Sequence, residues 1–209
     1  MSPAASQKPK WRRRAESRPD EILDAALGIF ERDGFDAARV EDIAKAAKLS
    51  KAGVYLYFDT KEAILRGLIE RKVMQVAQNL RGMAEAGADD PAGSLRRIIA
   101  AFTGLAADKQ KFAVPRLVLS VAGRYPDIAA YYRENVAEQG LGAIKALIEA
   151  GIKKGDFRPC DSGVAARFVL GPVFIHVLYT HLLDGDPGPL SPEERIAAHT
   201  DLLLNGLAA

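Results

Sequence analysis

Between residues 65 and 83, Leu65, Ile69, Val73, Val76, Leu80 and Met83 recur in steps of 4, 4, 3, 4 and 3. That is one face of an α-helix and the wrong period for a strand. Similar spacing runs through nearly the whole chain, and no stretch alternates at period two for the length of a strand pair. The expected fold class is therefore all-α. With 209 residues, 48% of them hydrophobic, the chain can fill one ordinary domain or two small ones.

Helix boundaries follow from capping chemistry. Ser17, Pro19 and Asp20 suit the start of a first helix, and Asp33-Gly34 suits its end, because Gly34 can turn left-handed. A second helix is expected over residues 40–47, with Val40, Ile43, Ala44 and Ala47 on one face. Lys48-Leu49-Ser50 interrupts it, and Ser50 is a good N-cap for a third helix reaching about Phe58. A long fourth helix begins near Lys61, and further helices are expected over about 91–107, 111–124, 126–152, 162–183 and 192–207, separated by Pro and Gly breaks. The expected division is a basic, flexible arm over 1–17, a small domain over 18–60 and a larger helical domain over 61–209.

Charge supports that division. The chain carries 29 Lys and Arg against 27 Asp and Glu, a net +2 that commits it to no polyanionic partner. Lys8, Lys10, Arg12, Arg13, Arg14 and Arg18 face only Glu16 in the first eighteen residues, so six minus one leaves a local +5. This leading run is either a solubilising tail or an arm that follows a minor groove. A second, smaller excess lies at residues 39–61, where Arg39, Lys45, Lys48, Lys51 and Lys61 exceed Glu41, Asp42 and Asp59 by two.

Residues 40–58 read as a helix-turn-helix: two short helices, a three-residue turn, Ala44 where the helices cross, and Val54 and Phe58 as inward anchors. The major groove of DNA, about 12 Å wide, admits one helix whose first residues reach base edges while its partner spans the backbone. Lys51, Ala52, Gly53 and Tyr55 then form the reading end. Tyr55 and Tyr57 have the alternative of packing on the first helix, and Lys45 that of a solvated surface charge.

The motifs Ile22-Leu23-Asp24-Ala25-Ala26, Phe30-Glu31-Arg32-Asp33-Gly34-Phe35 and Asp42-Ile43-Ala44-Lys45-Ala46-Ala47 stand in register with Leu49-Ser50-Lys51-Ala52-Gly53-Val54-Tyr55-Leu56-Tyr57-Phe58 and Lys61-Glu62. Together they resemble the N-terminal domain of the TetR/AcrR family of bacterial transcription regulators. The resemblance implies a homodimer that binds a double-stranded DNA operator and leaves it when a small molecule occupies the larger domain. It places Lys51, Ala52 and Tyr55 on the bases and Tyr57 and Lys61 on phosphates, Lys61 also lying at a helix start that favours anions. Two positions depart from the family pattern. Lys48 stands where glycine is usual, and Arg39 replaces a capping threonine or serine while offering a longer reach to phosphate.

The remaining residues show no nucleophile, base and orienter set, and no cofactor signature. Five residues turn a helix by about 500 degrees, which puts His176 and His181 on different faces, so no metal site is expected. The lone Cys160 excludes an internal disulfide. The candidate pocket combines the aromatic residues Phe102, Phe112, Tyr125, Tyr131, Tyr132 and Phe168 with the polar groups of Thr103, Arg116 and His176. In the family the last two long helices form the dimer interface, which makes Phe168, Val169, Val173, Val177, Leu202, Leu203 and Leu207 the candidates here. Residues 1–18 lack the apolar core of a secretory signal, and the richest apolar stretch, 168–183, is shorter than the roughly 20 residues a bilayer span needs. A cytoplasmic address without membrane insertion is expected. The function expected is a ligand-responsive regulator, a repressor released by an apolar or amphipathic effector. Its alternatives are an activator or ligand-independent regulator of the same fold, and an all-α binding protein or enzyme.

Overall fold

The structure is a computed structural model describing residues 10–208, with side chains from Ser17 onward. Among the described residues it has eleven α-helices, three five-residue π-helical segments and a single isolated antiparallel bridge, Phe157 to Ala208. The chain divides into two compact units, Met1–Leu68 and Ile69–Ala209.

The first unit holds α1 (Lys10–Asp33), α2 (Val40–Ala46), α3 (Lys51–Tyr55) and α4 (Lys61–Ile69). Its core is Ile22, Ala26, Phe30, Ile43, Val54, Ile64, Leu65 and Leu68, each no more than 1% exposed. Phe30 meets Phe35 with ring centroids 5.1 Å apart. Gly34 adopts φ +78° and ends α1 as expected. The start of α1 differs from expectation. The helix already runs from Lys10, Pro19 lies inside it, and Ser17 is no cap but donates from Oγ to Glu21 Oε1 at 3.1 Å. The part of the expected arm from Lys10 to Ser17 is thus helical, and the rest, with Lys8, lies outside the described residues. The third helix stops at Tyr55, and the turn after it lets Phe58 pack on Gly67, where a Cβ would sit only 2.9 Å from the Phe58 ring.

The second unit comprises α5 (Gln75–Glu85), α6 (Pro91–Ala107), α7 (Ala113–Val121), α8 (Pro126–Tyr132), α9 (Glu138–Lys154), α10 (Ser162–Val177) and α11 (Pro192–Leu207). Side chains cap three of these helices: Asp90 accepts from Gly93 N–H, Asp161 from Val164 N–H, and Ser191 forms a reciprocal capping box with Glu194. Leu95, Ile98, Ile99, Ile144, Leu147, Ile148, Phe157, Val169 and Leu207 form the main core. Gly151 makes room for Phe157, whose ring would lie 2.3 Å from a Cβ there.

The π segments Glu70–Met74, Arg133–Ala137 and Leu178–Leu182 break three expected continuous helices. In α5, beyond the first segment, Ala77 and Ala84 are the fully buried positions, while the expected Leu80 and Met83 are partly buried against the main core. Ser162–Leu182 is a helical run of 21 residues containing an 18-residue window of mean hydropathy 1.4, longer than the apolar stretch 168–183 and sufficient by length and composition to cross a membrane. Here its inner face, Ala165, Ala166, Val169, Val173 and Val177, is buried within the unit.

Candidate functional site

The turn between α2 and α3 is built from backbone chemistry. Lys48 N–H donates to Lys45 O at 3.1 Å and Leu49 N–H to Ala44 O at 2.8 Å, the paired bonds of a Schellman motif. That closure demands a left-handed residue, and Lys48 supplies it at φ +56°, a conformation costing about 1–2 kcal/mol where glycine would be unstrained. Ser50 Oγ then accepts from Gly53 N–H at 3.0 Å and caps α3. A side chain on Gly53 would crowd that cap, its Cβ 3.3 Å from Ser50 Oγ. Arg39, at the N-cap of α2, makes no side-chain capping bond.

On α3, Val54 is completely buried while Lys51, Ala52 and Tyr55 face solvent, as does Tyr57 in the turn that follows. Arg39, Lys45 and Lys48 are exposed on the same short stretch. The Lys51 ammonium bonds Glu41 Oε1 of α2 and lies 5.8 Å from the centroid of the Tyr55 ring. That bond holds the Glu41 carboxyl below its ordinary range and raises Lys51 above its own. Two residues escaped the sequence reading: Glu41, hidden as one acid among cations, and Leu56, 83% exposed between the two tyrosines.

Lys61 occupies a different place from the one expected. Its ammonium donates to Phe35 O at 2.6 Å, Asp36 O at 2.9 Å and Ala38 O at 3.1 Å, and lies 4.8 Å from the Phe35 ring centroid. An ammonium has three donors, so in this arrangement none is left for a phosphate. Burial pulls its pKa below the usual lysine value. Lys61 braces the loop that delivers Arg39 to α2.

In the second unit a groove of about 810 Å³ lies along α10 and α11, lined by Val164, Phe168, Pro172, Val173, Leu202, Leu203 and Leu207, with Thr103, His176, His199, Arg158 and Arg195 as polar groups. Of the expected pocket residues it gathers Thr103, Phe168 and His176. Phe102 and Phe112 instead pack on Phe174, at centroid distances of 5.5 and 6.2 Å, and fill the interior. Tyr131 Oη donates to Glu70 Oε1, Tyr125 precedes α8, and Arg116 is half-buried. Desolvation pushes the Tyr132 phenol up to about 12. None of Arg116, Tyr125, Tyr131 and Tyr132 lines the groove.

The expected interface residues also separate. Val169, Val173, Val177 and Leu207 are 0–6% exposed, so their side chains belong to the unit's own core and are not available to a partner. Phe168 (62%) and Leu202 (76%) are open, as are Val164 and Ile175, which periodicity could not single out on a helix apolar all round. Among the described residues no group of three or more His, Cys, Asp or Glu is placed to hold a metal ion.

A helical N-terminal unit built around the α2–turn–α3 helix-turn-helix and followed in the chain by a larger helical unit defines a helix-turn-helix transcriptional regulator. Residues 22–68 match the bacterial regulatory proteins of the tetR family, and residues 85–188 match a tetracyclin repressor-like C-terminal domain. The chain belongs to the TetR family of regulators and not to a family of enzymes. It is similar to the HTH-type transcriptional repressor NicS of Pseudomonas putida, 26% identical over 147 residues covering 69% of this chain and 68% of that protein. A TetR-family regulator of Mesorhizobium loti shares the fold with a TM-score of 0.77 at 22% identity, covering 94% of this chain and 99% of the other. FadR of Bacillus subtilis, solved in complex with stearoyl-CoA, shares it with a TM-score of 0.68 at 22% identity over 90% and 98% of the two chains.

Proposed function

We propose that the protein is a repressor that binds a palindromic operator as a homodimer and is released by a small apolar or amphipathic effector. The observation that carries this reading is α3 itself, anchored by a completely buried Val54 and presenting Lys51, Ala52 and Tyr55 to solvent. Those residues are assigned to base edges, and Arg39, Lys48 and Tyr57 to phosphates. Ser50 and Gly53 shape the start of the helix. Lys61 is assigned to positioning in place of phosphate contact.

Dimerisation is supported by the apolar side chains that α10 and α11 leave in water, Phe168, Ile175 and Leu202 foremost. A two-fold dimer presents two reading helices to half-sites about one helical turn apart. The effector is assigned to the second unit; the groove along α10 and α11 is walled by Phe168 and Leu202, the side chains assigned to the second copy, and belongs to the dimer face. The stearoyl-CoA held by the Bacillus subtilis protein of the same fold supports an amphipathic effector class. The address that suits such a regulator is the cytoplasm.

The test is selection of duplexes from a randomised pool, followed by gel shift and light scattering of the complex. A palindromic consensus bound by two protomers, and dissociated by long-chain acyl thioesters or related amphiphiles, is the expected result. Failure to retard any pool duplex at low salt would refute the DNA-binding role. Retention of the complex with every amphiphile tried would refute the effector class alone.

A further inference from the structure

Glu41 is a carboxylate in the first turn of α2, on the surface assigned to a polyanion. Like charge beside phosphates weakens binding to every sequence equally, so it needs a compensating effect. The carboxylate reaches across the turn to Lys51, ten residues away, at the first position of α3. Both side chains remain about half exposed, at 47% and 50%, and an exposed pair of this kind adds little to folding stability. Its geometric effect is larger. A lysine ammonium rides on a flexible four-carbon stem and takes any anion within reach, including phosphate. Here its ammonium is bonded to Glu41 Oε1 and lies 5.8 Å from the Tyr55 ring centroid. The other acid of this turn holds its cation far less closely, Asp42 Oδ1 lying 3.7 Å from Lys45 Nζ.

We propose that Glu41 is a positioning residue for operator specificity, holding the Lys51 ammonium beside Tyr55 so that it meets base edges and is kept from the phosphates. The proposal rests on the assignment of α3 to the major groove. Glu41 acts through Lys51 and lowers affinity for DNA in general while narrowing the sequences accepted. The pair is ionised throughout the neutral range, since each partner stabilises the other's charge.

The experiment titrates full-length wild type, Glu41→Gln, Lys51→Ala and the double variant with a duplex enriched from a randomised pool and with unselected pool duplex, over a salt series. Glu41→Gln is expected to tighten binding to unselected duplex by about two- to fivefold, the range set by exposed ion pairs. It should steepen the salt slope by about one phosphate contact. The enriched duplex gains less, so selectivity falls, and in the Lys51→Ala background this change in selectivity vanishes. Thermal melting of each variant excludes a folding defect as the source of the difference. Unchanged selectivity and slope in Glu41→Gln, or an equal change with and without Lys51, overturns the positioning role and leaves the groove helix standing. A wild type with no preference for the enriched duplex overturns both.

Discussion

Apart from Leu56, the first unit hides its large aliphatic side chains and shows solvent a five-residue helix bearing Lys51 and Tyr55, whereas the second turns Phe168, Ile175 and Leu202 outward from sixteen-residue helices. A surface that meets DNA must stay wet and cationic when free, because its partner brings phosphates that are recognised through charge and hydrogen bonds. A surface that meets another protein copy gains from removing apolar area from water and can be uncomfortable alone. The two units therefore spend the same residue types differently. Phe30 in the first is 1% exposed, and Phe168 in the second is 62% exposed.

That contrast can be broken with one pair of substitutions. Phe30→Ala is expected to cost about 3–5 kcal/mol of folding stability, the usual range for emptying an aromatic site in a core. Phe168→Ala is expected to change protomer stability by only about 0.5 kcal/mol, as exposed positions do. Its effect should appear in the concentration dependence of association, read by light scattering on dilution. Urea unfolding gives the stabilities. Equal losses of protomer stability from the two variants would mean that Phe168 is part of the protomer core, and the assignment of α10 to a second copy would fall.

Much of the first unit was legible because its devices are local. Gly34 at the end of α1, Ser50 at the start of α3 and the left-handed demand on Lys48 each depend on a few neighbouring residues. The inward roles of Val54 and Phe58 follow from spacing alone. The bonds of Lys61 were not legible, because its partners, the carbonyls of residues 35, 36 and 38, stand more than twenty positions away and nothing in a lysine's neighbours announces a carbonyl cradle. Glu41 was passed over for the same reason, its partner lying across a turn.

The second unit was legible in its helices and not in their faces. Both ends of α6 and α11 fall where the Pro and Gly breaks put them, each helix beginning at a proline. A π segment inserts one residue into a turn, and beyond Glu70–Met74 Ala77 and Ala84 are buried deepest while the expected Leu80 and Met83 pack partly buried against the core. On α10 almost every position is apolar, and periodicity has nothing to discriminate. Val169, Val173 and Val177 went inward and Phe168 and Ile175 outward for tertiary reasons alone. Phe102 and Phe112 were read as pocket walls because an aromatic residue that lines a space and one that fills it look alike until Phe174 is seen between them.

Lys48 makes two contributions of opposite sign. Lys48→Gly relieves the left-handed conformation and is expected to stabilise the protein by about 1 kcal/mol. The same change removes a cation assigned to phosphate, so affinity should fall by similar factors for enriched and random duplex, with a salt slope lower by about one. Urea unfolding and salt-dependent titration measure the two effects separately. A stabilised variant with an unaltered slope would leave Lys48 with a turn-forming role and no part in DNA contact.

Acidification should separate the units with the smallest effect of all. His176 and His181, both in the second unit, have pKa values below the ordinary 6.5, first because of desolvation. Arg195 adds to this for His176, and Lys109, Arg116 and His176 add to it for His181. Above pH 6.5 both rings are neutral in folded and unfolded chains alike, and their contribution to stability is complete. As pH falls below 6.5 the unfolded chain takes up protons that the folded unit resists, and stability is lost until the folded values are passed. In the first unit Glu41 and Asp33 have carboxyls held below their ordinary 4.5 and 3.8, the main cause being the hydrogen bonds from Lys51 and Arg32. Their contribution persists until pH falls below about those values. Between pH 7 and 5, therefore, the thermal midpoint should fall modestly through the second unit, and replacing both histidines with asparagine should flatten that fall. A double variant whose midpoint falls as steeply as wild type would place the pH response elsewhere and remove the histidines from the comparison.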